Sequence, residues 1–178
     1  INLLHAKGLF AMTNMVVVAP GARSTLKQWP LPYFQEVVER LITHERVTVV
    51  LVGDSHDVEV CAAIESLVHS GHVINICNKI NQKELAALMT IAPLVITNDS
   101  ALMHFGHYYG TGVVAIFGPT NAQKYGMRDG RSRIIQSSRA CVPCEKSNCP
   151  TQRECLYDVR PEDVLPHAIE LLRKKHEI

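Results

Sequence analysis

The chain has 178 residues, 47% of them hydrophobic and 20% charged, with a formal net charge of +1. That length supports one domain with a substantial core, and the near-neutral balance gives no reason to expect nucleic acid or an acidic partner. The longest apolar runs are too short to span a bilayer, and the N-terminus lacks the basic segment, apolar run and small-residue cleavage site of a secretory leader.

The sequence begins Ile1-Asn2-Leu3 rather than with Met, which reads as a piece of something longer. Residues 1–14 hold Leu3, Leu4, Leu9, Phe10 and Met12 without a strong period. They read as a linker or a crossover from another domain, with the domain itself over 15–178. Val16-Val17-Val18-Ala19 is a continuous β-branched run, the mark of a strand buried on both faces. It ends in Pro20-Gly21-Ala22, and a loop from Arg23 to Pro30 carries Lys27 and Trp29.

Pro32 suits a first helical turn. Phe34, Val37, Val38, Leu41 and Ile42 then give that helix one apolar face. Val47 to Val52 is a second strand, ended by Gly53-Asp54. Val60, Ile64, Leu67 and Val68 mark the next helix, with Gly71 as its C′ residue. Val73 to Ile76 is a third strand. Asn81 and Glu84 have capping-box spacing, and Leu85, Leu88, Met89 and Ala92 line the helix behind them. Leu94 to Thr97 and Val113 to Phe117 are the fourth and fifth strands, and Arg133 to Gln136 a short sixth. Pro161 opens a last helix, acidic at its start (Glu162, Asp163) and basic at its end (Arg173, Lys174, Lys175), as the helix dipole favours.

Alternating strands and helices predict an α/β fold: a Rossmann-like, doubly wound, mainly parallel sheet. In such sheets ligands bind beyond the carboxyl ends of the strands, where strand order reverses. In the common order 3-2-1-4-5-6 that point lies between the first and fourth strands, here ending in Pro20-Gly21-Ala22 and Asn98-Asp99-Ser100. The second and fifth strands end in Gly53-Asp54 and Gly118-Pro119-Thr120, so small and polar residues collect on one edge. There is no Gly-x-Gly-x-x-Gly, no P-loop and no Gly-x-Ser-x-Gly elbow, which argues against dinucleotide cofactors, P-loop NTPases and the usual α/β-hydrolases.

What remains is an anion site of another design. A helix starting near Ser100 offers N–H groups to a phosphate, His104 shares its face by i,i+4 spacing, and Lys27 could supply a point charge. Each has a plainer role available: Asp99 and Ser100 as helix caps, His104 in a core, Lys27 in solvent, Trp29 as a packing anchor.

Six cysteines divide into two kinds. Cys61 and Cys77 stand alone in apolar surroundings and read as small buried hydrophobes. Cys141, Cys144, Cys149 and Cys155 crowd one loop, separated by two, four and five residues. Without a secretory leader they read as reduced thiols or metal ligands rather than native disulfides. Four thiolates could hold Zn²⁺, although only Cys141 and Cys144 form the close pair usual in structural sites.

Four motifs in this order carry a family resemblance. They are Pro20-Gly21-Ala22 with Lys27-x-Trp29-Pro30, Asp99-Ser100-x-x-Met103-His104, Phe117-Gly118-Pro119-Thr120, and the cysteine loop. Together they resemble the C-terminal domain of the family nine glycosyltransferases, the lipopolysaccharide heptosyltransferases, and in the cysteine loop the heptosyltransferase II branch. The resemblance runs from about residue 16 to about residue 172. It implies one half of a two-domain B-type glycosyltransferase fold. This half binds a nucleotide-sugar donor, typically ADP-heptose, and the absent N-terminal half holds a lipid-linked saccharide acceptor and the catalytic base.

The implied donor residues are Lys27, Asp99, Ser100, Ala101 and His104 at the diphosphate, Asp57 near the ribose or adenine, and Ile80 by the base. The resemblance implies no cofactor, no catalytic residue within this chain, and work on the cytoplasmic face of the inner membrane with at most peripheral contact. Ala101 and Leu102 stand where the family commonly has Gly and Pro. A Cβ hinders close backbone approach and positive φ. A non-catalytic nucleotide-binding or regulatory domain with a degenerate pocket is the alternative expectation.

Overall fold

The computed structural model describes residues 2–12, 14–68, 71–127 and 129–175. Six strands form one sheet: β1 Met15–Ala19, β2 Thr48–Leu51, β3 Val73–Asn75, β4 Leu94–Asn98, β5 Gly112–Phe117 and β6 Ser132–Gln136. Their order is β3-β2-β1-β4-β5-β6, and every neighbouring pair is parallel. The reversal therefore falls between β1 and β4, as the alternation of elements predicts.

The helices are α1 Asn2–Ala6, α2 Leu31–Glu45, α3 Val58–Leu67, α4 Gln82–Ile91, α5 Ala101–Tyr108, α6 Ala122–Tyr125, α7 Glu154–Asp158 and α8 Pro161–Lys175. Alternate residues of each central strand enter opposite layers. Val16 and Val18 of β1 pack with Phe34 and Val38 of α2, Ile64 of α3 and Ala168 of α8. Met15, Val17 and Ala19 pack on the other side with Leu88 and Met89 of α4 and Met103 of α5. Both faces are thus dry, which is why these strands are unbroken apolar runs with no polar alternation.

Residues 2–12, expected as a linker or crossover, form α1 and a 3-10 turn at Leu9–Ala11. Leu4 and Leu9 are fully buried in the layer of α4 and α5. The Asn81–Glu84 capping box is complete, with Asn81 Oδ1 accepting from the Lys83 and Glu84 N–H groups and Glu84 from the Asn81 N–H.

Two details of the sequence reading change. Leu67 is 61% exposed, because Cys61, Ile64 and Val68 complete the buried face of α3 without it. Gly71 is not the C′ residue, since α3 ends at Leu67 with Val68 as its cap. Pro166 lies inside α8, on its exposed face; there it removes one main-chain hydrogen bond without ending the helix.

Candidate functional site

The register pairs Ala19 with Thr97, so the turns after β1 and β4 leave the sheet side by side. One side chain joins them. Asn98, fully buried, donates its amide to the Pro20 and Gly21 carbonyls at 2.7 and 3.1 Å. Its Oδ1 accepts the Trp29 main-chain N–H at 2.9 Å. Trp29 is 2% exposed, packs edge-on against Phe34 at 5.0 Å and donates its indole N–H to the Val159 carbonyl at 2.8 Å. Between these anchors runs the Lys27 loop, tightened by a 3-10 turn at Thr25–Lys27 and by Gln28 donating to the Ala22 carbonyl at 2.9 Å. Trp29 is a packing anchor, as its plainer reading predicts. Asn98 does not follow from the motifs. The available signal is an amide side chain at the last position of a strand with no other polar place to go.

This clamp brings Lys27 across the gap. Its ammonium lies 2.7 Å from Asp99 Oδ2, with the two side chains 34% and 8% exposed. That oxygen meets no hydrogen-bond geometry, so the contact is an ion pair held by charge at close range. Asp99 itself is fixed by its N–H, which donates to the Ile116 carbonyl at 2.9 Å. Ser100 is the N-cap of α5: its Oγ accepts from the Leu102 N–H at 3.3 Å and lies 3.0 Å from Thr97 Oγ1.

Helix α5 therefore opens at the edge with its Leu102 donor taken by Ser100 Oγ and its Met103 donor by the Ser100 carbonyl at 3.2 Å, and among the described residues the Ala101 N–H has no partner. Ala101, its first residue, is exposed and has no positive φ. A glycine is thus not required there for backbone conformation, and the substitution adds only a methyl group. His104 is exposed one turn further on. Among the described residues it has no hydrogen bond or ion pair, so it is not a core histidine. Below it, Gly106 is buried where a Cβ would come within 2.7 Å of Val95 Cγ1. The missing methyl lets α5 sit close on β4.

Asp57 lies on the β2 side of the same edge. Its carboxylate fills the space a side chain at Gly21 would occupy, since a Cβ there would stand 1.8 Å from Asp57 Oδ1. Burial pushes this carboxyl above its ordinary range; the Asp54 N–H, donating at 3.1 Å, pulls the other way. Asp57 thus packs against the β1 turn, while Lys27 and Asp99 are joined by their ion pair and Ser100, Ala101 and His104 follow along the start of α5. Ile80 is half-buried on the loop between β3 and α4, beyond β2, packed on the layer that contains α4. It is the outlying member of the predicted set.

The turn after β5 closes the other flank. Gln136 donates to the Gly118 and Thr120 carbonyls, and the Cys144 and Glu145 N–H groups both donate to the Pro119 carbonyl at 3.0 Å. Cys155, expected in the same loop, lies in the first turn of α7, and with Cys141, Cys144 and Cys149 of the loop it borders one small cavity beside Pro119 and Leu26. Arg153, a residue the motifs do not single out, donates from this loop to the Thr25 carbonyl at 2.7 Å. A wider groove of about 760 Å³ lies between the end of β6 and α8 and contains none of the predicted donor residues. Its Asp158 is engaged by Arg139 at 2.6 Å and its Asp163 by the Arg160 N–H at 2.7 Å. Size alone does not make it the site.

Comparison with known proteins bears on the family and the fold. The family model of glycosyltransferase family 9 (heptosyltransferase) matches residues 4–154. Lipooligosaccharide heptosyltransferase 2 of Campylobacter jejuni is 32% identical over 162 residues, covering 88% of this chain and 50% of that protein. Lipopolysaccharide heptosyltransferase 2 of Escherichia coli is 25% identical over 163 residues, covering 89% and 47%. Among solved structures, the E. coli ADP-heptose lipopolysaccharide heptosyltransferase II has a TM-score of 0.82 at 23% identity, covering 98% of this chain and 51% of that one. The chain spans about half the length of the relatives it matches.

Proposed function

The chain belongs to glycosyltransferase family 9, and on that footing we propose that it is the donor-binding half of a heptosyltransferase. Its ligand is a nucleoside diphosphate sugar, ADP-heptose in this reading. The observation that carries the proposal is the Lys27–Asp99 ion pair, drawn across the switch point beside the Ser100-capped start of α5. A partly exposed ammonium and an unengaged N–H at the start of a helix are suited to a diphosphate. Lys27 keeps a solvent-facing side from which it can take a phosphate oxygen while still near Asp99.

In this arrangement Lys27, the Ala101 N–H, Ser100 and His104 meet the diphosphate, and Asp99 orients Lys27. Asp57 serves the ribose or adenine, and Ile80 borders the base. Transfer with inversion needs a base for the acceptor hydroxyl and stabilisation of the departing diphosphate. The residues assembled here suit the second task. The base and the lipopolysaccharide core acceptor belong to the other half of a longer protein, which works at the cytoplasmic face of the inner membrane with peripheral contact at most. No helix among the described residues is long and apolar enough to cross a membrane. No nucleic acid partner is proposed.

A chimera tests the activity. Fused to the N-terminal half of a family 9 heptosyltransferase, this chain should transfer heptose from ADP-heptose to that enzyme's acceptor, while alone it should transfer none. Transfer by the 178 residues alone, or a folded chimera that binds donor without transferring, would count against the proposal. The second outcome would favour the non-catalytic nucleotide-binding reading, for which the Ala101 methyl at the mouth of the site is the one supporting feature.

A further inference from the structure

We propose that Cys141, Cys144, Cys149 and Cys155 are the four ligands of one structural zinc ion, which pins the loop between β6 and α7 beneath the site. This inference stands apart from the donor reading and does not depend on it.

The sequence spacing shows only one close cysteine pair, but the fold brings all four to the wall of a single cavity. That cavity measures about 20 Å³. It is room for one water-sized sphere, hence for a bare ion and not for an organic ligand. All four cysteines are free of disulfides; Cys155 is buried, Cys144 and Cys149 half-buried, and Cys141 exposed. Left-handed turns stand beside two of them. Glu145, directly after Cys144, has φ 48°, and Gln152 and Arg153, just before Cys155, have φ 50° and 65°. Cys149 Sγ already accepts the Arg153 N–H at 3.2 Å, a bond that favours sulfur with negative charge.

Charge balance agrees. Binding would exchange four thiol protons for one Zn²⁺, leaving a tetrathiolate centre of net charge −2 and releasing four protons. Lys146 and Arg153 line the same cavity and supply two positive charges. The loop also needs a fastener. Residues 137–153 form neither helix nor strand, and Val142 is the only large aliphatic side chain among them. A structureless stretch of that length is uncommon in a compact domain, and it has almost no core of its own to bury. Yet it holds two parts of the site, through the Pro119 carbonyl and the Thr25 carbonyl.

Among the described residues no three such side chains are already disposed to hold a metal. The sulfurs must therefore close in on binding, with exposed Cys141 swinging through solvent and not through core.

The test is metal analysis of the chain purified under reducing conditions, followed by Co²⁺ replacement. The expected result is about one zinc per chain, and on Co²⁺ exchange the thiolate-to-metal charge-transfer band of a tetrahedral sulfur site. Cys144→Ser and Cys149→Ser should each lose the metal and become cleavable by protease within 137–153, with helical circular dichroism retained. Cys61→Ser should keep the metal. Wild-type protein that holds no zinc and gives no cobalt band would overturn the proposal. So would stoichiometric zinc retained by both serine variants, or a Cys141–Cys144 disulfide in the reduced preparation.

Discussion

Replacing Asn98 with Ala should lower stability by about 3 kcal/mol, far more than deleting an ordinary surface amide. The side chain is fully buried and makes three hydrogen bonds, to the Trp29 N–H and to the Pro20 and Gly21 carbonyls. Alanine leaves one donor and two acceptors where water does not reach. An unsatisfied buried group costs about 1–3 kcal/mol. Carbonyls tolerate the loss better than an N–H, because each retains a second lone pair. Counting the Trp29 N–H in full and the carbonyls in part gives about 2–5 kcal/mol by the same rule. That is below the whole stability of a typical domain, about 5–15 kcal/mol, so the variant should fold. Urea unfolding at unchanged m-value measures the loss. Trp29 is the chain's single tryptophan, so its native-state emission should shift red as the clamp opens. Thr90→Ala, at an exposed helix site, is the control and should change stability by less than about 0.5 kcal/mol. A loss below about 1 kcal/mol for Asn98→Ala, with Trp29 emission unmoved, would refute the clamp.

Other substitutions probe the packing and the charges. Gly106→Ala places a Cβ 2.7 Å from Val95 Cγ1; overpacking of about 1–3 kcal/mol should outweigh a helix-propensity gain of about 1 kcal/mol. In a Val95→Ala background the same change should become neutral or favourable, and equal effects in both backgrounds would refute the contact. Gly21→Ala must expel the Asp57 carboxylate; its destabilisation should largely vanish when combined with Asp57→Ala, so additive unfolding midpoints would count against that packing. The Arg133 guanidinium, and then Lys174, hold the Glu170 carboxyl at about 2, below its ordinary 4.5. A depressed carboxyl stabilises the fold above its unfolded value and loses that contribution as pH falls through the folded one. Glu170→Gln should therefore narrow its stability gap to wild type between pH 4.5 and about 2; a constant gap over that window would contradict it.

The fold was legible because its signals are local. Val16 to Ala19 and Val113 to Phe117 are dry on both faces, and a parallel sheet between helices is the arrangement that requires such runs. Alternation of strands and helices then restricts the strand order, and the switch point follows from it. Ser100 was legible as a cap for the same reason. The Lys27–Asp99 contact was not, since its partners lie on different turns and spacing carries no information about their meeting. Asn98 was hidden by its company: beside Asp99 and Ser100 it looks like a third loop residue, and only burial shows that it ties two turns together. Leu67 misled because a helical stripe read by period alone has no sharp edge. The convergence of the cysteines required the turns at Glu145 and Gln152-Arg153, where no glycine marks the left-handed positions.

The most direct test of the donor site is calorimetric titration of ADP into the wild-type chain and into Lys27→Ala. A charged hydrogen bond to phosphate is worth about 1.5–3 kcal/mol, so the variant should bind ADP about 10- to 100-fold more weakly. The uncovered Asp99 carboxylate would add to that loss, and affinity for adenosine, which lacks the diphosphate, should be unchanged. Equal ADP affinity for the two proteins would contradict the assignment of Lys27 and the α5 N-terminus to the diphosphate.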